Sequence, residues 1–301
     1  MSDQSGSLSK LAEAGEIPAL ARLLTVLERD GTNCFARFPE LICPQHQAFR
    51  IGITGPPGAG KSTLIGQLIG RFRAHGLRVA VMAVDPSSPF SKGAVLGDRI
   101  RYSQHFNDPG VFIRSLGSRG SLGGLSSSAY LMVRAFDLAK FDVVLIETVG
   151  VGQTELEVMN VADLVAVVLV PESGDSIQGM KAGLLEIADL FVVNKADRPG
   201  ADAFSHELEA SLNLVQRGSQ TKLVCTTATN GSGVDELFAF FDEALAKKEW
   251  RERRNSSQRL RAEAQALLRA QAEREIQSRM DAISSAEDFL AVFATNTRVI
   301  K

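Results

Sequence analysis

No apolar run in this sequence approaches the ~18 residues that a membrane-spanning helix needs, so no membrane association is expected. Cysteine is scarce. The three present, Cys34, Cys43 and Cys225, cannot form a paired disulfide framework, and their number suits a reducing compartment. Cys34, Cys43 and His46 lie close together, but their C-x8-C-x2-H spacing matches no recurrent zinc pattern and lacks a second Cys pair. Burial as small hydrophobes, or surface placement, is the expected account. An excess of one charge sign is also missing. A net charge of −2 leaves no global basic field for nucleic acid or an anionic membrane. Met1 to Lys10 is Ser-rich without an apolar h-region or an arginine, which argues against a secretory signal and a mitochondrial transit peptide. A cytoplasmic location is the resulting expectation.

What is present is ordinary for a globular protein. With 45% hydrophobic and 23% charged residues over 301 positions, the chain can build one large α/β domain with terminal additions, or two modest domains. Leu11, Ile17, Leu20, Leu23, Leu24 and Leu27 recur at helical spacing, with Pro18 suited to the first turn of a second helix. From Phe49 the pattern changes to short apolar runs: Ile51–Thr54, Val79–Val84, Val111–Ile113, Val143–Ile146, Leu164–Val170, Leu190–Val193 and Leu223–Cys225. Several are β-branched and apolar on both faces, as buried parallel strands are. Helix-like stretches alternate with them at 61–75, 94–107, 122–139, 154–161, 176–188, 201–217 and 233–248. Such alternation predicts a mostly parallel sheet covered by helices on both faces. From Trp250 the sequence turns to Arg, Glu, Ala and Gln. Leu260, Ala264, Leu267, Ile276, Met280 and Ile283 leave a thin apolar stripe that must dock on the body or on another subunit. The expected division is an N-terminal helical extension (1–47), a nucleotide-binding α/β domain (48–249) and a C-terminal helical arm suited to self-association (250–301).

The chemistry begins at Gly55-Pro56-Pro57-Gly58-Ala59-Gly60-Lys61-Ser62-Thr63, which fits G-x-x-x-x-G-K-[ST] between a strand run and an amphipathic helix. Glycines let such a loop turn its N–H groups and the following helix N-terminus toward phosphate. Lys61 is placed for the β/γ-phosphates and the Ser62 hydroxyl for Mg²⁺. Asn194-Lys195-Ala196-Asp197 ends a later strand run, about 130 residues beyond the loop, where the motif gains meaning from its context. An aspartate there can accept hydrogen bonds from guanine N1–H and its exocyclic amine, a donor pair that adenine lacks. Thr227-Ala228-Thr229 follows the last strand run, where a loop backing the base is needed. Asp85 and Glu147 end two further strand runs, and loops leaving strand carboxyl ends surround the ligand crevice of such sheets. Both are candidates for the hydrated Mg²⁺, and Asp98 in Gly97-Asp98-Arg99 is a third. A helix N-cap for Asp85 and a solvated face for Asp98 are the plainer readings. Gly150, Gly152 and Gln153 suit a loop sensing the γ-phosphate, with Gln153 either positioning water or lying on the surface.

Several further stretches stand out: Asp85-Pro86-Ser87-Ser88-Pro89, Gly97-Asp98-Arg99, Ser118 to Leu125, Glu147 to Gln153 and Glu186-Ile187-Ala188-Asp189. Together they closely resemble the MeaB/ArgK (MMAA) GTPases, chaperones of adenosylcobalamin-dependent acyl-CoA mutases. The likeness runs from about Ala19 to Leu237. It implies a dimeric P-loop NTPase of the SIMIBI class, with Lys61 and its loop on phosphate and Ser62, Asp85, Asp98 and Glu147 at or around Mg²⁺. Asn194, Lys195 and Asp197 are implied to read guanine. The stretch Glu172 to Lys181 resembles an additional switch, in which Gln178 and Lys181 would couple nucleotide state to the mutase. Adenosylcobalamin enters only through that partner, and the C-terminal arm is implied in dimerisation. Lys92 stands where the family usually has glycine, Tyr102 stands where methionine is common, and the tail after Trp250 matches poorly.

The leading expectation is therefore a GTP-hydrolysing G protein that gates cofactor loading or protection of a methylmalonyl-CoA mutase-type enzyme. No arginine finger or unambiguous water-positioning group stands out in cis, although Arg119 and Lys181 offer charge, so slow intrinsic turnover is expected. A GTP-dependent kinase of a transport component, a nickel-insertion GTPase and a non-hydrolysing sensor are the alternatives. A nickel role calls for a Cys/His cluster near the switches, and the four histidines are scattered.

Overall fold

The computed structural model describes residues 3–85, 102–117, 124–148, 159–173, 188–214 and 221–285. Seven strands form one sheet: β1 (Phe49–Thr54), β2 (Val79–Asp85), β3 (Val111–Gly117), β4 (Val143–Thr148), β5 (Leu164–Leu169), β6 (Leu190–Asn194) and β7 (Lys222–Thr226). Their order is β3-β2-β4-β1-β5-β6-β7, and every pairing is parallel. Each apolar run expected from the sequence became a strand. β1 and β4 are buried along their whole length, because a central strand must be apolar on both faces when helices cover both.

Successive strands lie on one side of β1 and then on the other, so the winding reverses next to it. In such sheets the ligand crevice opens beyond the carboxyl ends of the strands at that reversal. Register brings the relevant ends level. Glu147 is opposite Ile53 on one neighbour and Ala83 on the other, while Asn194 is opposite Thr226.

Helices cover both faces. Those described are α1 (Asp3–Glu13), α2 (Ile17–Asp30), α3 (Cys34–Arg37), α4 (Lys61–Ala74), α5 (Gly124–Leu138), α6 (Ala201–Leu214), α7 (Val234–Lys247), α8 (Glu249–Arg254) and α9 (Ser257–Asp281). One face packs α4, α7 and Trp250 around Ile51, Ile53, Val81 and Val168. The other joins α5 and α6 to Leu20, Leu23, Leu24 and Leu27 of α2, so the N-terminal helices share the main core. Cys34 lies in that core, and burial pushes its thiol up to about 11. Cys43 is exposed, and His46 Nε2 sits 2.7 Å from the Phe141 carbonyl oxygen, so the three side chains have separate surroundings.

At the amino-terminal edge of the sheet lies a buried ionic cluster. Arg50 pairs with Asp137 at 2.5 Å, and the Arg50 N–H donates to Asp163 Oδ2 at 2.8 Å. Arg254 from α8 donates through Nε to Asp163 Oδ1 at 2.8 Å, through Nη2 to Asp163 Oδ2, and through Nη2 to the Ala48 carbonyl at 2.7 Å. Burial works against the charge on Arg50, but Asp137 and Asp163 outweigh it and its pKa is raised. Burial, with the nearby charge of Arg50, lowers that of Arg254. Trp250 packs on Phe49 at 5.4 Å between ring centroids, and the Arg254 guanidinium lies over its indole. Packing therefore carries the body of the domain through Arg254, past the division at 249/250 that composition suggests. A ring that closes a core is invisible to a composition shift.

The long helix α9 lies along α5, tied to it by Arg134–Glu263 at 2.7 Å, and Arg259 Nη1 donates to the Ala162 carbonyl just before β5 at 2.5 Å. Of the expected stripe, Leu267 packs against the core, whereas Leu260, Ile276 and Met280 are exposed, together with Leu268. The inward face relies on alanines, Leu267 and charged side chains reaching backbone carbonyls. This pattern has no strong helical apolar period.

Candidate functional site

The loop after β1 is shaped by close approaches that only glycine permits. Gly55 has φ +142°, and a Cβ there would lie 2.0 Å from the Val168 carbonyl oxygen of β5. Gly60 has φ +84°, and a Cβ there would lie 2.4 Å from Asn194 Nδ2. Gly60 is also the N-cap of α4 and supplies no side-chain cap, so the N–H groups of the first turn face the loop with the positive end of the helix dipole. This is an anion cradle. Lys61 is buried, and its Nζ donates to the carbonyls of Gly55 at 2.7 Å and Pro56 at 2.9 Å. The cation is thus held against the loop itself.

Ser62, next on α4, donates its hydroxyl to Glu147 Oε1 at 2.6 Å. Glu147 is 1% exposed at the carboxyl end of β4. Its other oxygen, Oε2, accepts from the hydroxyl of Tyr102, a fully buried residue. Asp85 closes β2, one step beyond the Val84–Thr148 register pair and two beyond Ala83, the partner of Glu147. Thr148, next along β4 and so turned to the other face of the sheet, has a buried hydroxyl without a hydrogen-bond partner among the described residues. Hydroxyl and carboxylate oxygens gathered at a phosphate cradle form a donor set suited to Mg²⁺, a hard cation that keeps several waters. Asp98, Arg119, Gly150, Gly152, Gln153, Gln178 and Lys181 lie outside the described residues.

Asn194 ends β6 at 2% exposure and ties two loops and the end of β7 together. Its Nδ2 donates to the Ala59 carbonyl of the phosphate loop at 2.8 Å, while Oδ1 accepts from Thr226 Oγ1 and the Ala228 N–H, each at 3.1 Å. The sequence grouped Asn194 with residues reading the base. The structure shows that it also braces the phosphate loop against the Thr227–Thr229 loop. Lys195 follows with φ +58°, and Asp197 is exposed at the same edge. Thr227 and Ala228 are buried, with the Thr227 N–H donating to the Ser232 carbonyl, and Thr229 is exposed. Asn194→Ala should cost about 1–3 kcal/mol by stranding the buried Ala228 N–H and Thr226 hydroxyl. It should also weaken GDP binding, measured by urea unfolding and by titration of a fluorescent GDP analogue.

The chain has counterparts among known proteins. The family described as methylmalonyl Co-A mutase-associated GTPase MeaB matches residues 20–285. The chain belongs to the MeaB family of GTPases. Among relatives of the MeaB chain, a Pyrococcus horikoshii protein named as a candidate GTPase is 48% identical over 229 residues, covering 74% of this chain and 72% of that protein. The GTPase ArgK of Escherichia coli is 38% identical over 237 residues, covering 74% of this chain and 71% of ArgK. The crystal structure of an LAO/AO transport system kinase superposes with a TM-score of 0.64 at 26% identity, covering 98% of each chain. The fold of this MeaB member is accordingly that of the P-loop GTPases. Two features of the site were hidden in the sequence. Tyr102 stood out only as an unusual residue after Gly97-Asp98-Arg99, and no motif announced the bracing bonds of Asn194.

Proposed function

We propose that this GTPase is a G-protein chaperone whose GTP and GDP states gate cofactor loading, or protection, of an adenosylcobalamin-dependent acyl-CoA mutase. The observation that carries the reading is the match to a mutase-associated GTPase family over residues 20–285. The site geometry supports the nucleotide part of it. In this reading Gly55 to Thr63 wrap the phosphates, and Lys61 exchanges its two loop carbonyls for phosphate oxygens. Ser62 and Glu147, with Asp85 and Asp98, would hold Mg²⁺, which would neutralise charge on the phosphates. Lys195 and Asp197 face guanine, while Asn194 and Thr227 to Thr229 brace the base side. The exposed apolar residues of α9 would serve a homodimer, and the protein would act in the cytoplasm.

Intrinsic hydrolysis should be slow, because catalysis of phosphoryl transfer is chiefly positioning and electrostatic stabilisation, and a partner often completes it. Adding a purified acyl-CoA mutase with its cobalamin should raise the GTPase rate by well over about tenfold, as trans-acting groups do. The rate is read as phosphate release at saturating GTP. An unchanged rate with every acyl-CoA mutase tried would sink the chaperone reading while leaving the GTPase intact.

A further inference from the structure

Glu147 is bracketed by two hydroxyls, and both are attached to the same helix. Ser62 is part of α4. Tyr102 is docked onto α4 through the turn that follows it, Ser103–His105, where the His105 N–H donates to the Tyr102 carbonyl at 2.9 Å. His105 Nε2 in turn lies 3.0 Å from the Gly66 carbonyl of α4. The phenol ring sits in the hydrophobic cluster that holds Leu64, Leu68 and Phe72 of α4, fully out of water.

The two hydroxyls have different parts. A serine hydroxyl has one proton and two lone pairs. While its proton is given to Glu147 Oε1, the position of the carboxylate decides how the Ser62 oxygen is turned. The carboxylate itself can turn about its last bond unless its second oxygen is also held. Tyr102 holds it, and a buried carboxylate oxygen deprived of that donor is costly to leave unpaired.

Resting on the reading of Glu147 as a cation-site carboxylate, we propose that Tyr102 is a positioning residue that sets Mg²⁺ affinity through Glu147 and Ser62. Groups that orient a metal site from behind its ligands typically influence affinity by about 10–100-fold.

The test titrates Mg²⁺ against the full-length chain carrying a fluorescent GDP analogue, with the metal-free affinity measured in EDTA. Tyr102→Phe keeps the ring and removes the hydroxyl. It should raise the Mg²⁺ midpoint by about tenfold or more and leave GDP affinity in EDTA unchanged. Glu147→Gln should raise the midpoint too, and the double variant should match Glu147→Gln alone, because both act on one path. A Tyr102→Phe midpoint equal to wild type, beside a raised one for Glu147→Gln, overturns the proposal. Additive effects in the double variant do the same. An unchanged midpoint in Glu147→Gln instead removes Glu147 from the cation site, and the role of Tyr102 falls with it. If Tyr102→Phe unfolds at the assay temperature, Tyr102→Met removes the same hydroxyl with an apolar replacement and is judged by the same midpoint.

Discussion

Asp163→Ala should destabilise the protein by about 3–5 kcal/mol, the range for removing one partner of a buried, hydrogen-bonded ion pair. The Asp163 side chain is completely buried, and its carboxylate serves the Arg254 guanidinium and the Arg50 backbone N–H. Removing it leaves two guanidinium groups close together with Asp137 as the remaining carboxylate of the cluster. Arg50 Nε and Arg254 Nη1 already have no partner among the described residues, so little compensation is available. Urea unfolding supplies the free energy, and the single tryptophan of the sequence supplies the local signal. Trp250 lies under Arg254 and against Phe49, so its emission should shift to the red in the variant before global unfolding. Lys247→Ala, which breaks an exposed pair with Glu243, should be indistinguishable from wild type. An Asp163→Ala variant as stable as wild type would show that the cluster does not hold α8 to the sheet.

Lys61→Ala should lower GTP turnover by about 10²–10³-fold, the cost of losing one preorganised donor at a site of developing charge. The loop ought to survive the change, since its path is set by Gly55 against Val168 and Gly60 against Asn194. Circular dichroism and thermal unfolding of the variant should therefore stay near wild type while phosphate release falls. With GTP labelled on its γ-phosphate, the wild type should release label as free phosphate and leave none on protein. Stable protein-bound label would favour a kinase, and full turnover in Lys61→Ala would displace the lysine from the chemistry.

Much of the site was legible because its parts are local. Gly55 to Thr63 is one continuous loop and helix start, and Asn194 to Asp197 follows directly on a strand run, so their spacing and context raise the expectation of phosphate and guanine contacts. Glu147 was legible as a carboxylate ending a buried run. Tyr102 was not, because its hydroxyl meets Glu147 across 45 positions of chain and its ring reads as ordinary core. Asn194 was assigned by its motif, but its bonds to Ala59 and Ala228 span the sheet edge and depend on how two loops converge on the end of β6.

The apolar runs, the glycine loop and their order along the chain determined a parallel, helix-covered sheet and the edge at which its glycine loop opens. That follows from short-range rules: strands apolar on both faces, helix starts facing phosphate, loops at carboxyl ends. Only tertiary structure decided which carboxylate oxygens are held, and by which hydroxyls. It also decided that Trp250 and Arg254 close the opposite edge of the sheet and that α9 turns several apolar residues outward. These outcomes rest on contacts between residues far apart in sequence, where burial and hydrogen-bond geometry, with no periodic signal, select the partner.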